Sequence, residues 1–176
     1  MNWKEKKKYD ALLARERGVM KKVWGTCLTV CLAYPNLYRI GMANLGFQTV
    51  YKAINDLPSL LCERVFLPAG DGAEYAAGAV EPLSLESRKP LRDFDILAFS
   101  VSFENDYPAI LKMLEWSGIP LKSKDRADGH PLVIGGGIAL TLNPEPLADF
   151  FDAFLTGETE ETLPGFARML AEVRPS

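Results

Sequence analysis

PLVIGGGIALTLNPEPLADFFDAFLTGE, residues Pro131 to Glu158, decides the fold, because it reads as two buried strands whose ends carry permissive loops. Leu132, Val133 and Ile134 form a short apolar run that stops at Gly135-Gly136-Gly137. Three residues without a β-carbon let the backbone turn tightly and let another group approach it closely. Asn143-Pro144-Glu145-Pro146 imposes an extended turn, and Ala153–Thr156 reads as a second strand ending in Gly157-Glu158. Strands that end in glycine loops mark the ligand edge of a sheet.

Upstream, strand and helix alternate. Thr26–Ala33 is β-branched and nearly all apolar, as suits a central parallel strand buried on both faces, and Tyr34-Pro35-Asn36 marks its end. Asn44 is placed to cap a helix in which Phe47, Val50, Tyr51, Ile54 and Leu57 keep a three-four spacing until Pro58. Glu63–Leu67 reads as a shorter strand near an edge, Ala73–Gly78 as a brief helix, and Glu81–Asp93 as an extended excursion with a marginal strand at Leu83–Leu85. Ile96–Ser102 returns to an apolar strand. Tyr107, Ile110, Leu111 and Leu114 define the next helix, stopped by Gly118 and Pro120. Thr159 is placed to cap a last helix that buries Leu163, Phe166, Leu170 and Val173. The expectation is an α/β fold: a doubly wound, mainly parallel five-stranded sheet of flavodoxin-like order 2-1-3-4-5. Its carboxyl-end rim would hold Tyr34–Gly41, Pro68–Gly72, Ser100–Asn105, Gly135–Gly137 and Thr156–Glu158. The expected deep core includes Leu28, Val30, Ile96, Ala98, Val133, Phe47 and Ile110.

With 176 residues and 48% hydrophobic composition, the chain suffices for one domain with a real core plus an arm. The expected division is a basic amphipathic arm over 1–22 and a Rossmann-like domain over 23–176. Of the net charge of −3, the arm carries about +5 and the body about −8. Tyr9, Leu12, Leu13 and Met20 fall roughly on one helical face of that arm, which would pack on the body or on an absent neighbour. RNA is the alternative partner of its basic side. No apolar run reaches the roughly 20 residues that span a bilayer, and Met1–Lys8 lacks the apolar centre of a secretory signal, so a cytoplasmic location and no membrane partner are expected. Three cysteines without framework spacing agree with a reducing compartment.

Several chemistries are excluded by what they require. His130, the single histidine, precedes the strand at Leu132 and so lies at the end of the sheet opposite the rim. One histidine permits neither a Ser-His-Asp relay nor a histidine-based metal cage. Gly135-x-Gly137 is followed by Leu140 where a dinucleotide fingerprint needs its third glycine. Cys27 and Cys31 begin a CxxxCxxC pattern, but Tyr34 stands in its third position, and residues four apart on a strand lie about 13 Å apart. Cys27, Cys31 and Cys62 therefore read as packed core thiols. No catalytic residue and no metal ligand is expected.

YPNLYRIGMANLGFQTVYKAIN (Tyr34–Asn55), ERVFLP, PLSLESRKPLRDFDILAFSVSFENDY, GIPL, and IGGG followed by NPEPLADFFDAFLTGETEE resemble the amino-terminal region of radical S-adenosylmethionine (SAM) proteins that carry a cobalamin-binding-like domain before their barrel. The resemblance covers about Val23 to the end, and its blocks are long. It implies a non-catalytic accessory domain that helps to shape the substrate or cofactor cavity of a radical SAM barrel. That barrel would lie in the same polypeptide and hold a four-iron cluster and S-adenosylmethionine; no cofactor would sit in this chain. In the cobalamin-binding relatives a D-x-H-x-x-G loop after the first strand ligates cobalt. The matching stretch here, YPNLYRIG, has neither aspartate nor histidine. Ser100, Ser102, Gly135, Gly136 and Gly137 do match positions where relatives contact the cofactor's nucleotide tail. The alternative is a stand-alone binding module for a cobalamin-like or nucleotide-like ligand.

Overall fold

Five parallel strands in the order β2-β1-β3-β4-β5 form the sheet of the computed structural model, which describes residues 3–68 and 81–173. They are β1 (Leu28–Leu37), β2 (Leu60–Leu67), β3 (Ile96–Ser100), β4 (Leu132–Gly136) and β5 (Ala153–Leu155). The helices are α1 (Trp3–Leu13), α2 (Tyr38–Gly41), α3 (Leu45–Asp56), α4 (Tyr107–Trp116), α5 (Ile138–Leu142) and α6 (Thr159–Val173). The doubly wound fold and the 2-1-3-4-5 order agree with the sequence expectation. Alternation along each strand sorts the core onto two faces. One face packs Cys31, Ala33, Leu97, Phe99 and Val133 against Ile110, Met113 and Leu114 of α4, and against Leu140 of α5. The other packs Val30, Leu32, Ala98 and Ile134 with Phe47, Tyr51 and Ile54 of α3 and Leu163 of α6.

Asn44 caps α3 as expected, its Oδ1 accepting the Phe47 N–H at 2.9 Å. Several boundaries differ. β1 begins at Leu28 and continues past Pro35 to Leu37, because a register irregularity between Tyr34 and Leu37 lets the strand pass a residue that has no N–H to donate. Leu28, expected in the deep core, is half-buried at that first position, and Cys27 before it is half-buried too. β2 starts at Leu60, before Glu63, and is buried along almost its whole length although it lies at the sheet edge. Residues 83–87 cover that edge: Leu85 N–H donates to Arg64 O at 2.6 Å, and Glu86 Oε2 accepts from Arg64 N–H at 2.8 Å. This excursion contains no strand, and a single antiparallel bridge joins Leu83 to Pro90. β3 ends at Ser100. Thr159, expected as a cap, opens α6 itself, and Glu158 O accepts the amides of Glu161 and Thr162. Ala69–Gly72, the expected helix at Ala73–Gly78, and the side chains of Leu170 and Val173 lie outside the described residues.

The arm is a helix only to Leu13. Met20, expected on its apolar face, is reached through coil, yet it packs with Tyr9, Leu12 and Leu13 on the α3 side of the sheet. Lys22 Nζ donates to Leu57 O at 2.7 Å, and Met20 N–H donates to Tyr51 Oη at 3.2 Å. Among the described residues, no helix is long and apolar enough to cross a membrane.

Candidate functional site

A cleft of about 390 Å³ opens between the sheet and the helices α3 and α6, at the carboxyl ends of the strands. Its floor is Val30 and Leu32 of β1, Ala98 and Ser100 of β3, and Ile134 and Gly136 of β4. Val50 and Ile54 line one wall, and Leu163 and Phe166 the other. Asn44, Ser102, Gly137, Thr141 and Glu158 surround the mouth. Ser100, Ser102, Gly135, Gly136 and Gly137, singled out in the sequence, are thus brought together on one cavity.

The three glycines answer to three different constraints. A β-carbon at Gly135 would point to the opposite face and meet Leu140 Cδ1 at 2.6 Å and Phe151 Cε1 at 2.8 Å. One at Gly137 would lie 2.5 Å from Val101 O, and its φ of +107° is in any case open mainly to glycine. Gly136 pairs with Ser100 and shares the face of Ile134, so its missing side chain keeps the cleft floor open; the nearest obstacle to a β-carbon there is Leu155 O at 3.1 Å.

Sequence reasoning treated Asn44 only as a cap. Its Nδ2 also donates to Ser102 Oγ at 3.1 Å, which ties the start of α3 to the end of β3 across the mouth. Thr141 and Thr162 were missed, because each belongs to the first turn of a helix whose inner face is visible only once the sheet order is known. Their hydroxyls donate to Gly137 O and Glu158 O, four residues back in each case. Glu158 is the one charged side chain lining the cleft among the described residues.

The Tyr34–Gly41 stretch lies at the rim but outside this cleft. A β-carbon on Gly41 would meet Phe66 Cε1 at 2.5 Å, so α2 packs tightly over β2. Tyr38 Oη donates to Glu16 Oε1 at 2.6 Å; burial, with that bond, pushes its pKa up to about 12. Its hydroxyl is thereby committed to the arm, and the loop offers no side chain suited to ligate cobalt. The apolar cleft does fit the uncharged part of a bulky ligand.

Beneath the arm lies a buried ion cluster absent from the sequence reading. Arg64 Nε lies 2.7 Å from Glu86 Oε1, Arg64 Nη2 lies 2.7 Å from Glu16 Oε2, and the guanidinium stacks 4.4 Å from the Tyr51 ring centroid. Burial raises the Glu86 pKa more than Arg64 lowers it. On the rim, Asn36 Nδ2 donates to Asp106 Oδ1 at 2.9 Å while the buried Asp106 Oδ2 has no hydrogen-bond partner. Burial raises this carboxyl's pKa, and the Asn36 bond only partly opposes it.

Cys31 and Cys62 are buried on opposite faces of the sheet, which prevents them from sharing a metal cluster. Burial holds both thiols well above their ordinary pKa. Among the described residues, no three His, Cys, Asp or Glu side chains are grouped to hold a metal ion. The described residues thus offer no cysteine set that could hold an iron–sulfur cluster. His130 is exposed before β4, where its Nδ1 lies 3.2 Å from Ala127 O.

No solved structure matches the chain significantly. An uncharacterised protein of Methanocaldococcus jannaschii is 26% identical over 133 residues, which is 74% of this chain and 24% of that protein. The chain thus spans about a quarter of the length of the curated relative it matches. The family model described as radical SAM proteins, N-terminal, matches residues 46–176, which include every strand but β1 and most of the residues lining the cleft. The chain belongs to this family of radical SAM amino-terminal domains.

Proposed function

We propose that this chain is the non-catalytic accessory domain of a radical SAM iron–sulfur enzyme and that its carboxyl-end rim helps to shape the enzyme's substrate or cofactor cavity. The observation that carries the reading is the convergence of Ser100, Ser102 and the three glycines on one open cleft in a domain of this family. The four-iron cluster and S-adenosylmethionine belong, on this reading, to a barrel in the same polypeptide. The division into an arm over 1–22 and a domain over 23–176 is part of the proposal, with the arm anchored to the domain by Glu16, Met20 and Lys22. RNA gains no support from those contacts, which engage the arm with the body.

The test is the complete reading frame and its enzyme. A barrel with a CxxxCxxC loop should follow this domain. Asn44→Leu or Gly136→Val should change turnover while leaving cluster content unchanged. A frame without a three-cysteine loop would remove the radical-enzyme assignment.

The apolar floor of the cleft favours a second reading, a stand-alone module that binds a cobalamin-like or nucleotide-like ligand. Cobalamin titration of the purified chain separates the two. Tight binding that is lost in Gly136→Val would support the module.

A further inference from the structure

Four large apolar side chains stand in solvent around the mouth of the cleft: Leu45 is 76% exposed, Leu142 76%, Phe103 61% and Ile138 58%. They come from three separate segments, and hydrogen bonds between their immediate neighbours hold them around one opening. Asn44, next to Leu45, donates to Ser102, next to Phe103, at 3.1 Å; Ala139 N–H, next to Ile138, donates to Val101 O at 3.3 Å. Ile138 and Leu142 are four apart on α5 and so share a face. Isolated exposed apolar residues need no explanation, but a cluster at a cavity mouth marks an interaction surface.

We infer that these four residues are the docking collar on which the catalytic domain of a radical SAM protein seats, closing the cleft beneath it. This rests on the reading that the chain is an accessory domain. The choice of occupant follows from family membership, and from the three quarters of the matched relative that lie outside the aligned region. Charge narrows the partner's surface further. Glu104, Glu145 and Glu158 are exposed around the rim against Arg39, so the partner should present an apolar centre with a basic margin. Large apolar side chains buried at such a contact should behave as anchors rather than as general adhesive.

The experiment is hydrogen exchange on the protein expressed from its complete reading frame, wild type against Leu45→Asp/Phe103→Asp. Both positions suit aspartate locally. Leu45 opens α3, where a carboxylate favours the helix dipole, and Phe103 precedes a short 3-10 turn. The readout is taken elsewhere, at the amides of residues 137–143 and of the barrel. These should exchange at least about tenfold faster in the variant if about 1.4 kcal/mol of docking free energy is lost. Val23→Asp, at an exposed apolar residue before β1, should change neither. Equal exchange at 137–143 in wild type and variant overturns the collar while leaving the accessory reading intact. So does sedimentation showing that the chain dimerises through these residues. A frame without a barrel overturns both, and the sequence of the frame distinguishes that failure from the others.

Discussion

The alanine series through Gly135, Gly136 and Gly137 separates three physical effects at adjacent positions. At Gly135 the new methyl would press into Leu140 and Phe151, both buried, at 2.6 and 2.8 Å. Overpacking of a tight core of this kind costs about 1–3 kcal/mol. At Gly137 the obstacle is backbone, Val101 O at 2.5 Å, and the residue holds φ +107°. Strain of about 1–3 kcal/mol for that conformation adds to a clash that β3 and β4 can relieve only by separating, so the loss should exceed that at Gly135. At Gly136 the methyl meets Leu155 O at 3.1 Å, which needs a shift of a few tenths of an ångström. The roughly 0.5–1 kcal/mol gained by removing glycine from a strand offsets that shift. Gly136→Ala should therefore melt close to wild type. For a chain of this size about 2–4 °C of Tm per kcal/mol puts Gly135→Ala about 2–12 °C lower, with Gly137→Ala lower still. Urea and thermal unfolding followed by circular dichroism and tryptophan fluorescence measure the order. Gly136→Ala as the most damaging of the three, or a harmless Gly137→Ala, would refute the assignment of Gly136 to the cleft and of the other two to packing.

Other outcomes follow from the buried charges and thiols. Arg64→Met should lower stability by about 3–5 kcal/mol, because it strands the Glu16 and Glu86 carboxylates, and a second substitution Glu86→Gln should recover part of the loss in urea unfolding. The raised Asp106 carboxyl contributes stability that is present at low pH and lost as pH rises through its folded pKa. The Tm of Asp106→Asn should therefore gain on wild type between pH 4 and pH 7 (about the range just above an ordinary carboxyl). With native protein at pH 8 (about the ordinary thiol range), a thiol reagent should label Cys27 first, while Cys31 and Cys62 react only on unfolding. Equal labelling of all three would refute their burial. If a nucleoside binds the cleft, its uncharged form should bind better than its monophosphate by about 1 kcal/mol of charge repulsion from Glu158, and Glu158→Gln should narrow the gap in calorimetric titration.

What could be read in the sequence was local. The apolar run through β1 and β3, the three-four spacing of α3 and the Asn44 cap are set by neighbours in the chain, and each appears in the structure. β2 was harder, because Glu63 and Arg64 look like solvent residues until their partners are known. Glu63 accepts from Trp24 Nε1 at 2.9 Å and from Ser87 Oγ at 2.6 Å, and Arg64 holds Glu16 and Glu86, all more than twenty residues away. Apolarity alone cannot anticipate a buried strand whose polar groups are neutralised by distant segments. The glycine run announced a close approach, but which glycine faced the core and which the cleft depended on the pairing of Ser100 with Gly136. α5 escaped notice because five residues do not display a helical period.

The polar inventory of the cleft limits what it can hold. Thr141 and Thr162 spend their hydroxyl protons on the carbonyls of Gly137 and Glu158, just before their own helices, and Asn44 divides its amide between the Phe47 N–H and Ser102. The start of α3, otherwise a place for an anion, is thus already occupied by the chain's own oxygen. Glu158 stands beside the start of α6, where a second anion would meet its carboxylate. No lysine or arginine lines the cleft among the described residues. Beneath them lies a floor of Val30, Leu32, Ala98 and Ile134 with room for a group of several hundred cubic ångströms but no side chain filling it. Protein interiors are otherwise close-packed, so a domain selected only to fold would gain by closing the space between these residues and the helices α3 and α6. Gly136 in place of a larger residue works against that closure. Apolar floor, open glycine and carboxylate mouth all favour an uncharged, largely apolar group entering from the rim, with any phosphate it carries kept outside.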